Sequence, residues 1–132
     1  MGYTRYWKRT EEKITDDFIK EVSRIIKEAA RLGIAIRGWD GKGNPVLTNE
    51  RISFNGNWNA EHDLSHESFV LDEEIGFNFC KTARKPYDYV VRNVLQLAWE
   101  YGLVEEVSDD GMNERIISDE QYLQEYFDME RN

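Results

Sequence analysis

Residues 15–33, TDDFIKEVSRIIKEAARLG, carry the most regular pattern in the chain. Their apolar side chains, from Phe18 to Leu32, recur every three or four residues, which places them on one face of an α-helix. Thr15 and the two aspartates that follow it suit a helix N-terminus, because oxygens and negative charge satisfy free backbone N–H groups there. Gly33 suits a left-handed stop. The stretch therefore predicts one long amphipathic helix.

A second helix is predicted over residues 86–101. Proline is well tolerated at the first helical position, so Pro86 is expected to begin this helix and Gly102 to end it. Residues 89–99 contain one charged side chain, Arg92. A helix that is apolar around most of its circumference is expected in the middle of the structure, against a sheet.

Short segments in which apolar and polar residues alternate predict β-strands. Ser118 and Gln121 form a capping-box pattern, which predicts a final short helix. The simplest arrangement for strands this short is one antiparallel sheet. We expect strands over residues 3–7, 34–39, 51–55 and 67–71, and an edge strand over residues 103–107.

Length and composition favour one folded domain. The 132 residues are enough for one core, and a hydrophobic content of 40% argues against disorder. The expected fold class is α+β: residues 1–132 form a single domain, with a mainly antiparallel sheet packed against two long helices and a short C-terminal helix. The single cysteine fits a reducing cytosol. Because no apolar run has the length of a leader or a membrane span, we expect no membrane contact.

Charge is distributed unevenly along the chain. The formal net charge is −9, and residues 104–132 alone hold ten acids and two arginines, so the rest is almost neutral. This acidic C-terminal segment is expected to be a solvated face, with mimicry of DNA as the alternative. Phosphate contacts need clustered cations, so direct binding of DNA or RNA is not expected.

The run FCKTARKPYD, residues 79–88, is the most informative for function. It places Lys81, Arg84 and Lys85 within five positions, directly before a predicted helix. Cations and the Thr82 hydroxyl beside a helix N-terminus would form a cradle for phosphate. The alternative is a solvated loop whose cations pair with the acidic C-terminal segment.

The two histidines lie in EHDLSHE, residues 61–67. His62 and His66 have the spacing of a metal-binding helix, but neither a helix nor a third ligand is evident, so no metal is expected. His66 and Glu67 could hydrogen-bond a ligand, or act as general acid and base. Cys80 is expected to be a small buried side chain rather than a nucleophile.

The aromatic residues of the first strand allow two interpretations. Tyr3, Tyr6 and Trp7 are either core residues of an edge strand or the walls of a base-stacking pocket. Asn55 ends a predicted strand before Gly56, which is typical of a turn.

Four segments of the chain together resemble a family of small phage and bacterial proteins: GYTRYW at 2–7, ISFNG at 52–56, HESFVL at 66–71 and FCKTARKPYD at 79–88. The resemblance spans residues 2 to about 111. Arg5 stands where the family more often has His, and an expected tryptophan after Gly111 is missing. The resemblance carries no established activity, but it implies a phage or mobile-element source and a cytoplasmic location in the bacterial host.

Small phage proteins with a cationic pocket are similar in kind to sponges that capture nucleotide immune signals. We therefore expect a counter-defence protein that sequesters an anionic nucleotide-like small molecule, such as a cyclic ADP-ribose or a cyclic dinucleotide. Such a protein needs no catalytic group and no cofactor. The alternatives are a small hydrolase of the same ligand class, with His66 and Glu67 as acid and base, and an acidic inhibitor that binds a host protein.

A sponge needs cations for phosphate, aromatic rings for the base and polar groups for the ribose. Because such sites are often shared between subunits, a homo-oligomer fits this interpretation. The candidate ligand-binding residues are Tyr3, Tyr6, Trp7, Asn55, His66, Glu67, Lys81, Thr82, Arg84, Lys85, Tyr87 and Asp88.

Overall fold

A computed structural model describes residues 3–111 of the chain. Six strands and two helices follow one another along this part, and the architecture is α+β. In chain order the elements are β1 (Thr4–Arg9), α1 (Asp16–Arg31), β2 (Val46–Leu47), β3 (Arg51–Phe54), β4 (Phe69–Asp72), β5 (Gly76–Lys81), α2 (Asp88–Glu100) and β6 (Val104–Asp109).

The strands form two antiparallel sheets of three. The first sheet has the order β5-β1-β6, and the second has the order β2-β3-β4. In the first sheet Tyr6 of β1 lies opposite Phe79 of β5 and Ser108 of β6. In the second sheet Ile52 of β3 lies opposite Leu71 of β4.

The helices and both sheets share one apolar core. Helix α1 begins at Thr15, whose hydroxyl accepts the backbone N–H of Phe18, and it buries Phe18 on its apolar face, as its periodicity predicted. The edge of the Phe18 ring meets Tyr101, at the end of α2, with ring centroids 5.4 Å apart. Trp7 and Phe69 join the two sheets, with centroids 5.2 Å apart. The two sheets and two helices are therefore layers around a single core.

The expected arrangement of one sheet against two long helices is wrong. The described strands divide into two sheets, and only α1 is long. Helix α2 has 13 residues and begins at Asp88 rather than Pro86, because Lys85 and Pro86 form a turn whose carbonyls accept the N–H groups of Asp88 and Tyr89. The C-terminal helix predicted from Ser118 lies outside the described residues.

The strand predicted over residues 34–39 is wrong as well. Only Arg37 makes a bridge, to Asn55, because Gly38 donates to the carbonyl of Lys42 and turns the chain away. The strands predicted over 3–7, 51–55, 67–71 and 103–107 correspond to β1, β3, β4 and β6. The patterns did not predict β5, whose aromatic side chains face solvent and whose buried residue is Cys80.

No helix within residues 3–111 has the length and apolar character needed to cross a membrane.

Candidate functional site

The outer face of the first sheet is covered by aromatic rings. Alternate residues of a strand point to opposite faces, so Trp7 points into the core while Tyr6 points outward. Phe77 and Phe79 of β5 share this outer face and are 70% and 47% exposed. The Phe77 centroid lies 6.1 Å from that of Tyr6 and 6.3 Å from that of Phe79. We call Tyr6, Phe77 and Phe79 the aromatic face.

Two lysines flank the aromatic face. Lys8 lies opposite Phe77, and its Nζ is 3.6 Å from an oxygen of Glu105 on β6. Lys81 follows Phe79 by two residues on β5, which is about 7 Å along a strand. Its side chain is exposed. The outer face therefore combines flat apolar surface with an ammonium group at each end.

One hydrogen bond fixes the ring of Tyr6 on this face. The Tyr6 hydroxyl donates to Oδ1 of Asp110 over 2.8 Å. This hydrogen bond raises the pKa of Tyr6, because the carboxylate favours the protonated phenol. The Tyr6 hydroxyl is thus bonded to Asp110 and neutral.

The cationic loop after β5 has an unusual backbone. Ala83 and Arg84 both have left-handed φ values, 54° and 55°. Such a conformation costs on the order of 1–2 kcal/mol for each residue with a Cβ. The backbone N–H groups of Thr82 and Ala83 donate to the carbonyl of Tyr3, and the Arg84 guanidinium carbon lies 4.2 Å from the centre of the Tyr3 ring. This turn holds Arg84 on Tyr3 at one end of the sheet.

Thr82 and Asp88 belong to a buried ion-pair network. Arg5 donates from Nε to one oxygen of Asp88 over 2.7 Å and from a terminal nitrogen to the other over 2.9 Å. The Thr82 hydroxyl donates to Asp88 over 2.8 Å. Burial alone would lower the pKa of Arg5, but the bonded Asp88 carboxylate outweighs it, so the pKa is raised. The Thr82 hydroxyl, which was predicted to hold phosphate, is thus bonded to the protein's own carboxylate at the first residue of α2.

Tyr87 and Cys80 are also turned inward. The Tyr87 hydroxyl donates to the carbonyl of Glu67 over 2.6 Å, and Cys80 lies 3.4 Å from the same oxygen. Burial raises the pKa of Cys80 to about 12 and also raises that of Tyr87. The Cys80 thiol is therefore protonated at neutral pH, and the prediction that Cys80 is a buried side chain is confirmed.

Asn55 holds three loop segments together. Its Nδ2 donates to the carbonyls of Trp39 and His66, and its Oδ1 accepts the N–H groups of Gly56 and His66. The side chain is buried, so all four bonds are made inside the protein. Asn55 is therefore occupied in the structure by contacts that a ligand would have to replace.

Three further candidates lie at the surface and differ in their hydrogen bonds: His66, Glu67 and Lys85. His66 and Glu67 are exposed, and Glu67 Oε1 accepts the backbone N–H of Lys81 over 2.8 Å. Lys85 Nζ donates to the carbonyl of Asp63 over 2.7 Å.

The structure therefore brings Tyr6 and Lys81 together on the outer face and places Tyr3 and Arg84 at its end. It directs Trp7, Asn55, Thr82, Tyr87 and Asp88 inward.

Neither a metal-binding cluster nor a cleft in the described residues adds a side chain to the candidate site. Within residues 3–111 no cluster of three His, Cys, Asp or Glu side chains could hold a metal ion. A cleft of about 330 Å³ is lined by Glu50, Arg51 and Asp72 to Glu74, none of which was a sequence candidate. Phe77 and Phe79 were not sequence candidates either, although their spacing of two residues is the signal of a shared strand face.

Comparisons of the chain with protein-family models, curated proteins and solved structures found no match. The resemblance of four segments to phage and bacterial proteins stays a prediction.

Proposed function

We propose that the protein sequesters an anionic, nucleotide-like small molecule on the aromatic face and leaves it chemically unchanged. The observation that carries this proposal is the exposure of Phe77 and Phe79 beside Tyr6, with Lys8 and Lys81 at the two ends. A base stacked on an aromatic side chain gains about 1–3 kcal/mol. An ammonium group about 7 Å from the stacked ring is within reach of the phosphate of the same nucleotide.

The charges around the aromatic face favour a small ligand over a long nucleic acid. Glu105 and Glu106 on the neighbouring strand β6 are exposed, Glu105 pairs with Lys8, and Asp110 accepts the Tyr6 hydroxyl. A polynucleotide that crossed the sheet would bring further phosphates against these carboxylates. A ligand with one to three phosphates can place them at the Lys81 end and avoid these carboxylates.

Binding without turnover is the simplest activity of this site. Cys80 is buried and protonated, and one Glu67 oxygen already accepts the N–H of Lys81. Rings and lysines, which supply affinity, cover the face itself. If the ligand is a cyclic ADP-ribose or a cyclic dinucleotide, sequestration would suppress a nucleotide immune signal. That role of a phage counter-defence factor rests on the sequence resemblance.

The first test is a thermal-shift screen of the full chain against nucleotides, cyclic dinucleotides and ADP-ribose derivatives. A ligand at a hundred times its dissociation constant adds about 2.7 kcal/mol, which raises the Tm by several degrees. Mass spectrometry of each mixture should recover the ligand intact. Depletion with a new product would instead support the hydrolase alternative, and no shift in the panel would contradict the proposal.

Substitutions on the aromatic face test where the ligand binds. Phe79→Ala removes one stacking ring and should weaken binding at least about fivefold. Lys81→Glu should weaken it at least about tenfold, because a charged hydrogen bond contributes about 1.5–3 kcal/mol. Trp99→Ala, at a 58% exposed ring on α2, and Lys20→Glu on α1 are the matched controls. Equal affinity of all four variants, measured by calorimetry, would place the ligand elsewhere.

A further inference from the structure

The two edges of the first sheet differ in how they meet solvent. At β6 the register shifts between Tyr6 and Lys8, and Glu106 has a left-handed φ of 54°. A bulge and exposed glutamates prevent another strand from adding to an edge. Strand β5 pairs with β1 in continuous register, and residues 76–80 carry no charge. The β5 edge lacks the features that protect β6.

Backbone groups of β5 face this open edge. Both the N–H and the carbonyl of Lys81 bond to Glu67, which lies on the side away from β1. Because the direction of backbone groups alternates along a strand, those of Phe79 and Phe77 face the same side. The Phe79 N–H is bonded to Oδ1 of Asn78, its own neighbour. Within the described chain, no residue pairs with the backbone of Phe77 or the carbonyl of Phe79.

The charges at the two ends of β5 are opposite. The acids Asp72, Glu73 and Glu74 precede it, and Lys81 ends it. When two copies of this strand lie side by side and antiparallel, the acidic end of each meets the lysine of the other. A parallel arrangement would set like charges together. The strand is therefore complementary to itself in one orientation only.

We propose that β5 pairs with β5 of a second copy, which makes a two-fold dimer with a continuous six-stranded sheet. Phe77 donates its N–H to the Phe79 carbonyl of the second copy, and the Phe79 N–H exchanges its bond to Asn78 for the Phe77 carbonyl of that copy. The Phe77 and Phe79 rings stack against the same residues of the partner. Pairing ends at Lys81, whose backbone Glu67 already occupies. The proposal concerns the chain without ligand, and it does not depend on nucleotide binding.

The test is sedimentation of the full chain at low salt over a range of concentrations, without nucleotide. We expect a dimer that Lys81→Glu and Glu74→Lys each weaken at least tenfold. The double variant should regain the dimer. Within one copy these residues are about 20 Å apart along the strand direction, so only contact between copies explains the restoration. Lys20→Glu, on α1, should leave association unchanged.

Hydrogen exchange gives a second measurement that needs no variant. The Phe77 amide should exchange quickly in dilute protein and become protected as the concentration rises, because pairing occupies it. A monomer at all concentrations, or a dimer with an unprotected Phe77 amide, would overturn the proposal. The double variant also separates the two proposals, since it should dimerise while keeping the ligand-binding loss of Lys81→Glu.

Discussion

At the scale of single residues, Asn55 shows how much structure one polar side chain can carry. Its four hydrogen bonds reach the backbone of Trp39, Gly56 and His66. The sequence placed Asn55 at a strand end, which is correct, but two of its partners, Trp39 and His66, come from other segments of the chain. From the sequence pattern alone Asn55 was predicted to bind a ligand. Its amide instead makes hydrogen bonds within the protein.

We expect Asn55→Ala to lower the free energy of unfolding by at least about 3 kcal/mol. The change leaves several buried backbone groups without partners, and each costs about 1–3 kcal/mol. Urea unfolding measures the loss. Asn44→Ala, at an exposed position, should change stability by less than about 0.5 kcal/mol. Similar values for both variants would show that the four bonds contribute little.

At the scale of elements, periodicity succeeded where one face is buried and failed where it is not. Helix α1 was predicted because its apolar residues face the core at regular spacing. Strand β5 was not, because Phe77 and Phe79 point to solvent and only Cys80 is buried, so no apolar face marks the strand. The burial of Thr82 and Asp88 was not predicted either, because the Arg5 that pairs with Asp88 lies far away in the chain, on β1. The Thr82 hydroxyl donates to the same Asp88 carboxylate.

The contribution of the Arg5–Asp88 ion pair, which connects β1 to α2, can be measured by substitution. Arg5→Ala leaves a buried carboxylate without its partner and should destabilise the fold by about 3–5 kcal/mol in urea unfolding. Lys8→Ala removes an exposed pair with Glu105 and should cost less than about 1 kcal/mol. Combining Arg5→Met with Asp88→Leu should cost less than the sum of the two single changes. An additive result would mean that the pair does not act as a unit.

At the scale of the whole molecule, the sequence indicated helices and strands packed together but not how the strands divide. Each strand has only four to six residues in β1, β3 and β4, so its own pattern cannot choose a partner. Tertiary packing of Trp7 on Phe69 makes that choice, because it stacks one sheet on the other. The outer aromatic face follows from the same division, since it is the side that the second sheet leaves uncovered.

The shared core predicts that both sheets unfold together. In a variant with Trp39, Trp58 and Trp99 replaced by Phe, the remaining fluorescence comes from Trp7, which is buried between the sheets. Its unfolding curve in urea should coincide with that of far-UV circular dichroism, as for a two-state domain. Separate midpoints would mean that the second sheet folds independently.

If copies pair through β5 as we propose, the bulge at Glu106 also limits how many of them can join. A sheet with two open edges can add copies without end, because each new copy presents another edge, and the product is a fibre. In the proposed dimer both ends of the six-stranded sheet are β6 strands, and the bulge at Glu106, with its left-handed φ, disfavours the addition of a further copy there. Growth of that sheet would then stop at two copies, although Phe77 and Phe79 are exposed in each.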